Sequence, residues 1–116
     1  MESSAAASTL AALAHEGRLG IFRELVRAGP DGLAAGEVAR RLGIAASTLS
    51  ASLTVLSHAG LVRSSRAGRS IIYTAAYDRM TDLIGFLMED CCQGRPEICA
   101  PLANLAVIAR CGQLPS

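Results

Sequence analysis

Apolar positions divide this chain into short periodic blocks separated by glycine and proline. Leu10, Leu13, Leu19, Ile21, Phe22, Leu25 and Val26 recur at mostly helical spacing, with a break near Gly17 and a stop at Gly29-Pro30-Asp31-Gly32. That pattern predicts two helices. Glu37 to Leu42 reads as a short helix closed by Gly43, and another starts near Ala46-Ser47. In the latter, Leu49, Leu53 and Leu56 sit at i, i+4 and i+7 and form one buried stripe, with Gly60 placed to end it. The pair is a helix-turn-helix pattern.

Beyond Gly60 the period changes. Leu61 to Arg66 and the β-branched run Ile71-Ile72-Tyr73-Thr74 flank Ala67-Gly68, where glycine permits the positive φ of a tight hairpin. Met80, Leu83, Ile84, Leu87 and Met88 then mark an amphipathic helix from about Tyr77 to Cys92. Pro96 and Pro101 bracket a loop holding Cys99, and Pro101 opens a last helix through Ile108. The expected fold is mostly α with a small β-hairpin, a winged helix-turn-helix. We expect a single domain over residues 1–116, with a C-terminal cysteine-containing sensor segment at about 89–111.

Length and charge sharpen this only a little. The chain has 116 residues and a formal charge of +1, with arginines along the first two thirds and no charged residue from Ile44 to Val62. Charge alone is therefore a weak argument for nucleic acid. A helix-rich chain this short has little core of its own, and a second copy would supply more. The uncharged stretch is not a membrane span, because Ser47, Thr48, Ser50, Ser52, Thr54, Ser57 and His58 make it too polar. Met1-Glu2-Ser3-Ser4 lacks the basic start of a secretory signal, so the expected compartment is the cytoplasm.

A helix pair followed by a hairpin suits duplex DNA: the second helix enters the major groove and the wing touches flanking backbone. The outward candidates are Ser47, Thr48, Ser50, Ala51 and Thr54, whose hydroxyls and methyls match base edges, phosphates and thymine methyls. Arg63, Arg66 and Arg69 give the wing its charge for phosphates or narrow minor grooves. The plainer reading is a helix pair used for packing beside an ordinary solvated hairpin.

Cys91 and Cys92 are adjacent and Cys99 follows across a Gly94-Arg95-Pro96 turn. Three thiols offer soft donors suited to thiophilic ions. In a reducing compartment they bind metal or do redox chemistry rather than staple a fold. Adjacent helical residues point about 100° apart, so the pair needs Cys99 to complete a three-sulfur site. Against this, Cys91 and Cys92 continue the apolar spacing of Ile84, Leu87 and Met88, and cysteine also packs as a small hydrophobe. Cys111 lies far along the terminus and reads as incidental, His15 as a helix-start residue and His58 as a helix-end residue.

Leu13-Ala14-His15-Glu16-Gly17-Arg18-Leu19-Gly20-Ile21-Phe22, Ser47-Thr48-Leu49-Ser50 with Leu53, His58-Ala59-Gly60-Leu61-Val62, and Gly68-Arg69 with Tyr73 together resemble the ArsR/SmtB winged-helix metalloregulators. The likeness runs from about Leu10 to Cys99. It implies a homodimer with dimer helices at both ends, bound to an inverted-repeat operator and released by a thiophilic ion. Arsenic sensors with cysteines in the first helix of the helix-turn-helix have Ala34 and Gly36 as counterparts here, so that site is absent. Glu89-Asp90-Cys91-Cys92-Gln93-Gly94 resembles instead the subgroup with a vicinal pair ending the long C-terminal helix. Relatives that sense zinc use Asp and His pairs on that helix, and Asp78 and Asp82 have no histidine companion.

The resemblance implies a repressor induced by arsenite at Cys91, Cys92 and Cys99, with no permanent cofactor and no catalytic residue. Trivalent arsenic favours three sulfurs, whereas structural zinc takes four ligands. Methylarsenite and antimonite remain alternatives, as does a thiol redox switch joining Cys99 to Cys91 or Cys92. A small thiol enzyme fits less well, since no evident base accompanies the cysteines and no Cys-x-x-Cys occurs.

Overall fold

The structure is a computed structural model that describes residues 1–89. Two helices open the chain, α1 (Ser3–Leu13) and α2 (Glu16–Ala28). The short strand β1 (Leu33–Ala34) leads into α3 (Ala35–Leu42), and α4 (Ala46–His58) follows. The hairpin β2 (Val62–Ala67) and β3 (Ser70–Ala75) precedes α5 (Tyr77–Met88). Met1–Leu83 form one compact unit; a second begins at Ile84, and its described part is the continuation of α5.

Three helix ends have a clear local cause. His15 caps α2 by accepting from the backbone N–H groups of Gly17 and Arg18 at its Nδ1, at 3.1 and 3.4 Å. At the exit of α4, Gly60 takes φ 77° while its N–H reaches Ser57 O and the Leu61 N–H reaches Leu56 O, both at 3.0 Å. That pair of bonds is a Schellman ending, and Leu56 and Leu61 supply its apolar contact, both fully buried. Gly43 closes α3 in the left-handed conformation, as its position in the sequence suggests.

The core forms where these stripes meet. Ile21, Phe22 and Leu25 of α2 pack with Val38 of α3, with Leu49, Leu53 and Leu56 of α4, and with Leu61, Val62 and Ala75 at the base of the hairpin. Burying each Leu or Ile contributes about 1.5–3 kcal/mol. Arg18 locks the turn between α1 and α2, its Nε donating to Ala12 O at 2.6 Å and its Nη2 to Ala11 O at 3.3 Å. Glu24 accepts from Arg27 at 3.1 Å and from Arg41 at 3.4 Å, the second bond linking α2 to α3.

The expected two-stranded ribbon is a three-stranded antiparallel sheet, in the order β1-β3-β2. β2 and β3 pair from Val62↔Ala75 to Ala67↔Ser70, and β1 adds Leu33↔Tyr73 and Ala34↔Ile72. Two residues are too few to show an alternating pattern, which is why this strand escaped the sequence reading. The turn before it is pinned by Gly32, at φ 69°, where an added Cβ would run into the Tyr73 carbonyl and the methyls of Ile72 and Thr74. This mostly helical fold with a small sheet is a winged helix-turn-helix.

Candidate nucleic-acid interface

Packing of Leu49, Leu53 and Leu56 turns the opposite side of α4 outward, and Ser47, Thr48, Ser50, Ala51 and Thr54 are all exposed. They do not face one way. Ser47, Thr48 and Ala51, with Ser52 and Val55, form one wall of an open groove of about 450 Å³ whose other wall is His15 and Arg18. Ser50 lies toward α3 and lines a smaller cavity of about 100 Å³ with Gly36, Ala39 and Tyr73. The Thr54 hydroxyl donates to Ser50 O at 3.0 Å, leaving its methyl and oxygen lone pairs for a partner.

The wing separates its arginines. Side chains alternate along a strand, so Val62, Ser64 and Arg66 share a face with their partners Ala75, Tyr73 and Ile71. Val62 and Ala75 are buried, which turns that face toward the helices, while Arg63 stands on the other. Arg63 Nη2 donates to Asp78 at 2.6 Å, and the guanidinium holds the Asp78 carboxyl below its usual range. Arg66 and Arg69 are exposed and make no ion pair among the described residues. Among the described residues, two of the wing's three arginines thus carry uncompensated charge.

His15 and Arg18 enter the site without a sequence signal, since their neighbours on α4 lie some thirty positions away. His15 sits at the helix start and His58 at a helix end, as read from the sequence. Among the described residues no three His, Cys, Asp or Glu side chains converge on a metal-sized site. Cys91, Cys92, Cys99 and Cys111, and the helix expected from Pro101, lie outside the described residues.

A sequence profile for a helix-turn-helix domain matches residues 13–65. The HTH-type transcriptional regulator NmtR of Mycobacterium tuberculosis is 46% identical over 77 residues, which are 64% of this chain and 62% of that protein. The chain thus spans less than two thirds of that curated relative. Among solved structures, an ArsR-like transcriptional regulator from Rhodococcus sp. RHA1 is 30% identical, with 91% of this chain and 93% of that one covered at a TM-score of 0.65. The homodimeric winged helix-turn-helix DNA-binding domain of a Mycobacterium bovis protein is 29% identical, covering 75% of this chain and 81% of that one at a TM-score of 0.61. The chain belongs to the ArsR family of winged-helix transcriptional regulators.

Proposed function

We propose that this protein is a cytoplasmic, homodimeric DNA-binding repressor. In this reading it occupies an inverted-repeat operator when empty and leaves it when Cys91, Cys92 and Cys99 bind trivalent arsenic. The observation that carries the DNA half is the outward polar face of α4 beside a wing whose Arg66 and Arg69 are unpaired among the described residues. Hydroxyls on α4 read base edges and the wing cations hold phosphates. Family membership and the homodimeric relative support the two-fold arrangement. Exposed Ile84 and Leu87 on α5 suit a dimer contact.

The inducer half rests on the three thiols and their order in the sequence. Arsenic must favour the DNA-incompetent state by differential affinity, typically about 1–3 kcal/mol of coupling. The test is operator release followed by fluorescence anisotropy under reducing, chelator-treated conditions, with arsenite, methylarsenite, antimonite, zinc and peroxide in parallel. Cys91→Ser, Cys92→Ser and Cys99→Ser should each keep DNA affinity and blunt release by arsenite, because a hard hydroxyl replaces a soft thiolate at nearly constant volume. Cys111→Ser should respond as wild type. Release by peroxide alone would select the redox switch, and a normal arsenite response in Cys99→Ser would remove the three-sulfur site.

A further inference from the structure

In the reading above, the groove between the start of α2 and the outward side of α4 contributes only its α4 wall, and His15 and Arg18 opposite are given no contact with DNA. Its volume is about 450 Å³; much of its wall is apolar, with Ala51 and Val55 in the lining, and His15, Arg18, Ser47, Thr48 and Ser52 set polar groups into it with no carboxylate among the described lining residues. Arg18 brings a permanent positive charge, aimed by the bonds of its Nε and Nη2 to the last carbonyls of α1, and its Nη1 has no partner among the described residues. His15 accepts two backbone N–H groups at Nδ1, which puts the ring's proton on Nε2, and that nitrogen also has no partner among the described residues. Ser47 and Thr48 add hydroxyls from the facing helix.

We propose that this groove seats one backbone phosphodiester of the bound duplex, with His15 and Arg18 as DNA-contacting residues. This rests on the DNA-binding reading and extends it. A phosphate oxygen is an acceptor that can take an N–H, a guanidinium and a hydroxyl at once. The groove is open rather than enclosed, and Ser47 and Thr48 belong also to the face offered to base edges. A phosphate between them and His15 would therefore come from the same duplex, on the side of α4 away from Ser50. Such a contact fixes the helix's depth and register without reading sequence.

The experiment uses the full chain and a labelled duplex selected by that chain from a random-sequence library, titrated between about 50 and 200 mM salt. His15→Asp and His15→Asn both keep a strong cap for α2, so the thermal midpoint should hold or rise. A carboxylate in the groove should nevertheless weaken the duplex about tenfold, from like-charge repulsion across a few ångströms of solvated groove. His15→Asn, uncharged and shorter, should weaken it less. Arg66→Ala reports separately on the DNA reading. If Arg66→Ala weakens binding while both His15 variants bind as wild type, the phosphate seat is refuted and the DNA reading stands. If the chain selects no duplex, or Arg66→Ala has no effect either, both fail. Inorganic phosphate, added without DNA, distinguishes the sources: stabilisation of wild type but not of His15→Asp, with duplex affinity equal in the two, would make the groove a free-anion site and overturn the proposal.

Discussion

The wing's three arginines should contribute unequally to DNA binding, and salt dependence separates them. Each phosphate neutralised steepens log K against log[salt] by about 0.9. Arg66 and Arg69 make no ion pair among the described residues, so a dimer offers four such contacts and a slope contribution of about 3.6. Between about 50 and 200 mM salt those contacts account for a roughly 150-fold fall in affinity. Arg66→Ala and Arg69→Ala should each flatten the slope by about 1.8, and together remove the whole term. Arg63 differs because its guanidinium lies 2.6 Å from the Asp78 carboxylate and on the opposite face of the hairpin. Replacing Arg63 by Ala together with Asp78→Asn removes a cancelled pair and should leave the slope almost unchanged. Anisotropy titrations of the four variants on one duplex measure this directly. A paired variant that flattened the slope as much as Arg66→Ala would show that the ion pair opens on DNA and that Arg63 acts like Arg66 and Arg69.

Stability should follow the glycines' surroundings. Gly20 lies inside α2 with open space where a Cβ would go, so Gly20→Ala should raise the unfolding free energy by about 0.4–1 kcal/mol in urea titrations. Gly32→Ala should lower it, with about 1–3 kcal/mol from the left-handed conformation alone and more from the clash with the Tyr73 carbonyl. Arg40 and Arg41 both donate to Glu37 and hold its carboxyl at about 2, against an ordinary value of 4.5. A carboxyl lowered in the folded state stabilises above its unfolded value and loses that contribution as pH falls from about 4.5 through about 2, so Glu37→Gln should flatten that stretch of an acid-unfolding curve. Ile84→Glu or Leu87→Glu should convert the proposed dimer to monomer in sedimentation; a monomeric wild type still gripping a palindromic duplex would exclude the two-fold reading.

Local signals made most of the fold legible. Glycine positions marked the ends of α3 and α4, the leucine stripe marked the inner face of α4, and β-branched residues around Gly68 marked the wing, because each feature is decided within a turn or two of chain. What escaped depends on distant partners. β1 exists by pairing Leu33 and Ala34 with Tyr73 and Ile72, nearly forty positions on. Arg63 looked equivalent to Arg66 until strand alternation put them on opposite faces and Asp78 met one of them. His15 was legible as a cap but not as a wall of the groove beside Ser47 and Thr48. The cysteines were the plainest chemical signal in the sequence, and they lie outside the described residues.

Coupling between the thiols and the DNA face would need a junction that both can bias. Within the first unit, the opening turn of α5 has the connections for this. Tyr77 Oη donates to Val26 O at the end of α2, at 3.1 Å, and Arg79 Nε donates to Ala59 O at the exit of α4, at 3.3 Å. Asp78 between them holds Arg63 of the wing, and the Ala76 N–H bonds Leu61 O at 2.8 Å just before β2. A small rotation of that turn would strain the reading helix and the wing together. Each such hydrogen bond is worth about 0.5–1.5 kcal/mol net. In the proposed regulation, losing one or two of them would match a coupling of about 1–3 kcal/mol with no refolding of the helix-turn-helix.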